Sequence, residues 1–273
     1  MKERPFSHQE RVLIKFAKFL VARRLNKDRL IIPKQQDSAQ SMAKHEYALL
    51  SWSGGKDSSL CLYEILNNEK YSNFEIKALL TTLTIKYDRI SMHGVRRELL
   101  IAQSRSLEIP VEEVWIPSKA TNEIYQIEMV KSLTKCKEKE RTSNIIFGDL
   151  FLEDIRAYRE KFLGSNGFRC VFPIWGKNTK ELARFFIESR FKAIICTIDP
   201  KKLDPSFCGR DYDKQFLTEI PESVDPCGEN GEFHTFVYDG PIFKSKIDIR
   251  VGDIVERDGF YFADIVPVRF DEP

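Results

Sequence analysis

The sequence predicts an α/β fold: a doubly wound, mainly parallel five-stranded Rossmann-like sheet, followed by a smaller α+β carboxyl-terminal region. Three observations predict it. Apolar runs of strand length alternate with longer amphipathic stretches from Tyr47 to Ile198. A Ser-Gly-Gly-Lys-Asp-Ser turn, Ser53 to Ser58, joins the first apolar run to the first amphipathic one. Beyond Asp199, the prolines Pro200, Pro205, Pro221, Pro226 and Pro241 cut the chain into short pieces.

Residues 1–46 read as an extension. Val12, Phe16, Phe19, Leu20 and Leu25 share one helical face, among Arg11, Lys15, Lys18, Arg23, Arg24 and Lys27. Such a face suits packing on the domain or on a second subunit, as in a homodimer, better than an RNA or membrane contact. A polar stretch, Pro33 to Lys44, leads from it to the first strand.

The domain 47–199 opens with a buried strand, Tyr47 to Trp52, and a helix whose Leu60, Leu62, Ile65 and Leu66 lie at helical spacing. Phe74 to Thr82 is the second strand, and Met92 to Leu107 a helix with His93-Gly94 at its mouth. Val111 to Ile116 and Asn144 to Leu150 are the third and fourth strands, separated by a long charged helix, Ala120 to Arg141. Helices Phe151 to Leu163 and Lys177 to Arg190 follow, and Ala193 to Ile198 is the fifth strand. In such sheets ligands sit beyond the carboxyl ends of the strands. Those ends are Ser53, Thr81-Thr82 and Gly148-Asp149. Region 200–273 ends in short strands, Ile247 to Val251, Ile254 to Arg257 and Gly259 to Val266, with a turn at Asp258-Gly259.

Composition excludes several classes. With 43 basic and 41 acidic residues the formal charge is +2, which gives no basic groove for nucleic acid. Six scattered cysteines without a CxxC pair argue against a zinc site or a disulfide framework and suit a reducing cytoplasm. No apolar run reaches the roughly 18 residues needed to span a bilayer.

The glycine turn carries the chemistry. Gly54 and Gly55 let backbone approach a ligand, and the helix that follows turns its first N–H groups outward. Ser53, Ser58 and Ser59 add hydroxyls and Lys56 a full charge, making a socket for an anion such as pyrophosphate. It is not the usual NTPase loop, because Asp57 follows Lys56 and no glycine lies five residues before Gly55. A carboxylate in a phosphate socket calls for a cation, so Asp57 is a candidate Mg²⁺ ligand.

Asp149 is placed either to touch that cation or to pair locally on the next helix. His93 is either a phosphate or adenine donor or a backbone-bonded helix-start residue. The densest cluster is Asp225-Pro226-Cys227-Gly228-Glu229-Asn230-Gly231-Glu232-Phe233-His234-Thr235-Phe236. Its acids Glu229 and Glu232 are candidates to deprotonate ammonium or orient a cationic substrate, or else they cap turns. Phe207 to Tyr212 is a weaker candidate for the same surface.

SGGKDS resembles the PP-loop of the N-type ATP pyrophosphatases. FGDLFLEDIRAYRE from Phe147, PIWGKNTKEL from Pro173 and DPCGENGEFHTFVYDGPIF from Asp225 narrow the resemblance to the diphthine–ammonia ligase family. It runs from about Tyr47 to about Phe243, and its last loop departs from the family's Glu-Gly-Gly-Glu-Tyr form toward that of bacterial relatives. The resemblance implies ATP and Mg²⁺ as cofactors, with ammonium as nitrogen donor and a carboxylate as acceptor. AMP and pyrophosphate would be the products. The acceptor would be diphthine on elongation factor 2 or, in a bacterium, a small molecule such as a corrinoid side chain. Lys56, Asp57, Glu229 and Glu232 would be catalytic. Ser53 to Ser59, Thr81, Thr82, His93 and Gly148 would hold the nucleotide, and Asp57 and Asp149 the metal. A tRNA-modifying enzyme and a non-catalytic nucleotide-binding regulator are the rival readings.

Overall fold

Five parallel strands form the first layer, in the order β4-β2-β1-β5-β6: β1 Glu46–Ser51, β2 Phe74–Thr84, β4 Val111–Ile116, β5 Asn144–Ile146 and β6 Arg169–Val171. The computed structural model describes residues 45–268, so the amphipathic face predicted around Phe16 lies outside the described residues. β1 is central, with Leu49 opposite both Ala78 and Ile145. A short strand β3, Arg89–Ile90, pairs antiparallel with the end of β2. Leu83 faces Ile90 on one side and Trp115 of β4 on the other, so β3 extends the line of β1.

The helices are α1 Lys56–Asn67, α2 Arg97–Leu107, α3 Asn122–Glu140, α4 Glu153–Gly164, α5 Thr179–Glu188 and α6 Lys214–Glu219. Their starts follow capping chemistry. Thr121, Asn178 and Asp213 each accept a hydrogen bond from a backbone N–H of the first turn of α3, α5 and α6. Met129, Leu133 and Cys136 of α3 seat against Leu49, Leu80, Val114 and Ile145, which buries one face of the sheet.

Three sequence expectations are corrected here. The fifth parallel strand is β6, not Ala193 to Ile198; β6 has only three residues and its Arg169 is exposed, so it carries no apolar-run signal. β7, Lys192–Ile198, lies instead in a second, antiparallel sheet ordered β8-β7-β10-β9, with β8 Phe233–Asp239, β9 Ile249–Arg257 and β10 Phe260–Pro267. Its run from Ala193 to Ile198 is buried on both faces, which mimics a parallel strand. The helix expected from Met92 begins only at Arg97, because Met92 and Gly94 have φ of 65° and 67°. β9 is one strand where two were expected, and it turns into β10 through Asp258 and Gly259, both at positive φ.

The second sheet grips the β3–α2 turn. Thr197 Oγ1 of β7 donates to the His93 carbonyl at 2.8 Å. Asp264 of β10 takes Arg96 through two bonds, at 2.9 and 2.7 Å, and Arg89 through one at 2.8 Å. These guanidinium bonds, Arg96 first, hold the Asp264 carboxyl down at about 2, below its ordinary 3.8. A carboxyl depressed in the folded state stabilises above its unfolded value and loses that contribution as pH falls through the folded one. Asp264→Asn should therefore lower the melting temperature at neutral pH. Its deficit against the parent chain should shrink as the pH is taken from about 4 to about 2, which thermal melts across that window would check.

Candidate active site

The Ser53–Lys56 turn leaves the carboxyl end of β1 and enters α1 between two walls. On one side Gly148 stands so close that a Cβ there would lie 2.9 Å from the Asp57 carbonyl oxygen. On the other, β8 is bonded to the loop. Val237 N donates to the Gly54 carbonyl at 2.9 Å, and Lys56 N donates to Thr235 Oγ1 at 3.0 Å. Gly54 itself has φ 77°, the left-handed region open to glycine.

A buried glutamine locks this junction. The Gln103 carboxamide, from α2, donates to the Gly54 carbonyl at 2.9 Å and the Val237 carbonyl at 2.7 Å, and accepts from the Trp52 indole at 2.9 Å. Sequence reasoning passed over Gln103, since one polar residue in an amphipathic helix gives no sign of facing inward. Thr235 was legible only as part of an alternating strand.

Two cavities meet at the loop. One, of about 230 Å³, is lined by Lys56, Asp57, Ser58, Gly148, Asp149 and Glu229 among others. The second, of about 270 Å³, reaches from Thr82, Met92 and Ile145 to Tyr125, Tyr158 and Phe162. Ser51, Ser53, His93, Phe147, Arg159 and His234 line both. The site is thus shaped for an elongated ligand with a polar and a mostly apolar part.

Lys56 is buried, and its Nζ donates to Asp57 at 2.9 and 2.6 Å. Burial opposes its charge, but the adjoining Asp57 carboxylate, together with Cys227 and Glu229 beyond it, more than offsets this, so the ammonium is retained. Asp149 faces Arg159, whose Nε lies 2.8 Å from Oδ2 and whose Nη2 donates to Oδ1 at 3.1 Å. Glu229 accepts from Leu150 N at 2.7 Å, and burial, acting first, raises its carboxyl to about 7. It is poised to exchange a proton near neutrality. The His93 and His234 rings stack with centroids 4.3 Å apart. Burial, then the neighbouring ring, holds His93 well below its usual value; burial, then Lys56, brings His234 to about 4. Both are neutral at pH 7.

The structure brings Ser53, Gly55, Lys56, Asp57, Ser58, Thr82, His93, Gly148, Asp149 and Glu229 to these cavities. It does not bring four others there. Thr81 is buried and donates to the Trp52 carbonyl at 2.8 Å, because alternate strand residues point to opposite faces. Ser59 is buried one turn into α1, and Gly54 contributes backbone bonds to β8 rather than a surface. Glu232 is buried and organises its own loop, accepting from Asp225 N and Asn230 Nδ2, each at 3.0 Å. Phe207, Cys208 and Tyr212 belong to the core, and the Tyr212 hydroxyl donates to the Pro226 carbonyl at 2.6 Å.

The Ser-Gly-Gly-Lys-Asp-Ser loop thus stands at the carboxyl end of the central strand, where wound α/β sheets bind their ligands. Two family descriptions match the chain: the diphthamide synthase N-terminal domain over residues 46–170 and the diphthamide synthase C-terminal domain over residues 178–265. The chain belongs to the diphthamide synthase family. It is 27% identical over 198 residues to the diphthine–ammonia ligases of Bos taurus and Homo sapiens, covering 68% of this chain and 73% of each relative. Among solved structures it is similar to the U34-tRNA thiolase NcsA of Methanococcus maripaludis, with 17% identity and a TM-score of 0.34, covering 64% of this chain and 62% of that one. No helix among the described residues is long and apolar enough to cross a membrane.

Replacing Gln103 tests the lock. Gln103→Leu would leave the buried Trp52 indole N–H without its acceptor and take from the Gly54 and Val237 carbonyls the bonds the carboxamide gives them, and a buried unpaired group costs roughly 1–3 kcal/mol. Urea denaturation should show a loss of at least that size.

Proposed function

We propose that the chain is an AMP-forming carboxylate–ammonia ligase that works in the cytoplasm. One observation carries the proposal: the buried Lys56 sits in a glycine loop on the wall of a polar cavity that opens into a nucleoside-sized one. ATP fits that shape, with its triphosphate along Ser53 to Ser58 and its nucleoside toward Thr82. Gly148 and the α1 amides supply close backbone, and Lys56 supplies positive charge where pyrophosphate departs.

Asp57 and Asp149 line the same cavity, and Mg²⁺ is typically bound by one or two carboxylates plus phosphate oxygens and water. These two residues would hold it, and the ion would neutralise phosphate charge. Among the described residues no three His, Cys, Asp or Glu side chains converge into a metal-binding group.

The reaction runs in two displacements. A substrate carboxylate oxygen attacks the α-phosphorus, and the bond to the bridging oxygen breaks to release pyrophosphate. Ammonia then attacks the acyl carbon, and the bond to AMP breaks. Glu229, which titrates near neutrality and lines the phosphate cavity, takes the proton from ammonium. Glu232 acts by shaping the loop that carries Glu229.

Two acceptors suit this chemistry: diphthine, after the relatives' names, carried on elongation factor 2 as the family resemblance implies, and a small carboxylate. Amidation assays with diphthine-bearing elongation factor 2 and with small carboxylates separate the two acceptors.

Lys56→Ala should abolish AMP and pyrophosphate formation while the circular dichroism spectrum is retained; full turnover would overturn the assignment. Glu229→Gln should slow amide formation from ammonium most strongly above about pH 7, where the carboxylate is the working form. Hydroxylamine needs no deprotonation at that pH and should rescue the variant. A deficit equal for both nucleophiles would exclude Glu229 as the base.

A further inference from the structure

Met92 stands out in the turn between β3 and α2. Its φ is 65°, a conformation uncommon for residues other than glycine. His93 N donates to the Ser91 carbonyl at 2.8 Å, so Met92 is the middle residue of a tight three-residue turn, a rare and strained one at positive φ. Packing does not explain its side chain. At 65% exposure it is the most exposed large apolar residue among those described. Glycine would satisfy the backbone, and a polar residue would satisfy the solvent.

The turn is nonetheless held rigidly. Gly94 N donates to the Ile90 carbonyl at 2.9 Å, and Arg89 Nη1 donates to the Gly94 carbonyl at 2.8 Å. The Thr197 hydroxyl holds the next carbonyl, that of His93. An exposed, strained methionine on a clamped turn is therefore displayed, and the larger cavity is where it is displayed: Met92 lines it together with Thr82, Ser91, Tyr125 and Tyr158. Strain of this kind persists where the surroundings over-determine it, and it concentrates at ligand sites.

We propose that Met92 is the contact residue for the nucleobase, laying its thioether on the aromatic ring of a purine nucleotide bound in the larger cavity. The inference rests on the reading that the phosphates occupy the loop at Ser53 to Ser58. That loop's cavity shares Ser53, His93 and Arg159 with the one Met92 lines, so a nucleotide with its phosphates on the loop extends toward Met92. A thioether suits a flat, polarisable ring and holds it from the open side without a hydrogen bond.

The test is calorimetric titration of the full chain with Mg²⁺ and the non-hydrolysable analogue AMP-PNP, and separately with inorganic pyrophosphate. Losing a sulfur–aromatic contact corresponds to roughly 2–12-fold in affinity. Met92→Ala and Met92→Gly should each weaken AMP-PNP binding by about that factor and leave pyrophosphate binding unchanged; Met92→Leu, which keeps the bulk but lacks the sulfur, should recover only part of it. Met92→Gly should melt at or above the parent temperature, since glycine accepts the turn without strain. Unchanged AMP-PNP affinity in Met92→Ala would overturn the inference. Equal weakening of pyrophosphate would do so too, by showing that Met92 shapes the loop, as would a marked fall in melting temperature in Met92→Gly. If the parent chain binds neither ligand, the nucleotide reading of the whole site falls with it, whereas binding insensitive to Met92 sinks this inference alone.

Discussion

The contact between β8 and the glycine loop is the constraint on which the rest of the site depends. A loop with two consecutive glycines has many conformations open to it, and holding one of them carries an entropic penalty. Here the penalty is met by directed bonds: Val237 N on the Gly54 carbonyl, Thr235 Oγ1 under Lys56 N, and the Gln103 carboxamide on both sides of the junction. Each of these partners is buried, so each bond lies out of competition with water. The glycine loop is therefore shaped before a ligand arrives, as the proposed stabilisation of a leaving group requires.

The same contact explains why the second sheet is more than an appendage. Its strands bring Thr235 to the loop, Thr197 to the His93 carbonyl and Asp264 to the arginines at the base of the β3–α2 turn. Both flanks of the joined cavities, the glycine loop and the Met92–His93 turn, are thus braced from one direction. The stacked imidazoles of His93 and His234 sit at that meeting place, one from each layer.

Much of this was legible before any coordinates. The strand, glycine turn and helix from Tyr47 to Leu66 could be read because a central parallel strand buries both faces and its turn has few chemical options. Glu229 could be read because acids and glycines crowd its loop. Three things were hidden for physical reasons. β6 is too short and too exposed to show a periodicity. β7 was assigned to the wrong sheet because burial on both faces looks alike in parallel and antiparallel company. Gln103 left no trace, since its partners are backbone groups on two distant segments and backbone has no letter in the sequence. Glu232 was read as a chemical group on the same density of charge as Glu229, but the folded loop turns it inward.

The long sequence separation of the β8 contact also bears on biosynthesis. The Gly54 carbonyl meets Val237 N, so more than half the chain must be made between the two halves of one hydrogen bond. While the ribosome has delivered only the parallel strands, Gln103 is the one built partner of the loop's carbonyl, and the bonds from Val237 and Thr235 are still to come. The glycine loop can therefore take its full set of bonds only after translation has carried β8 clear of the exit tunnel.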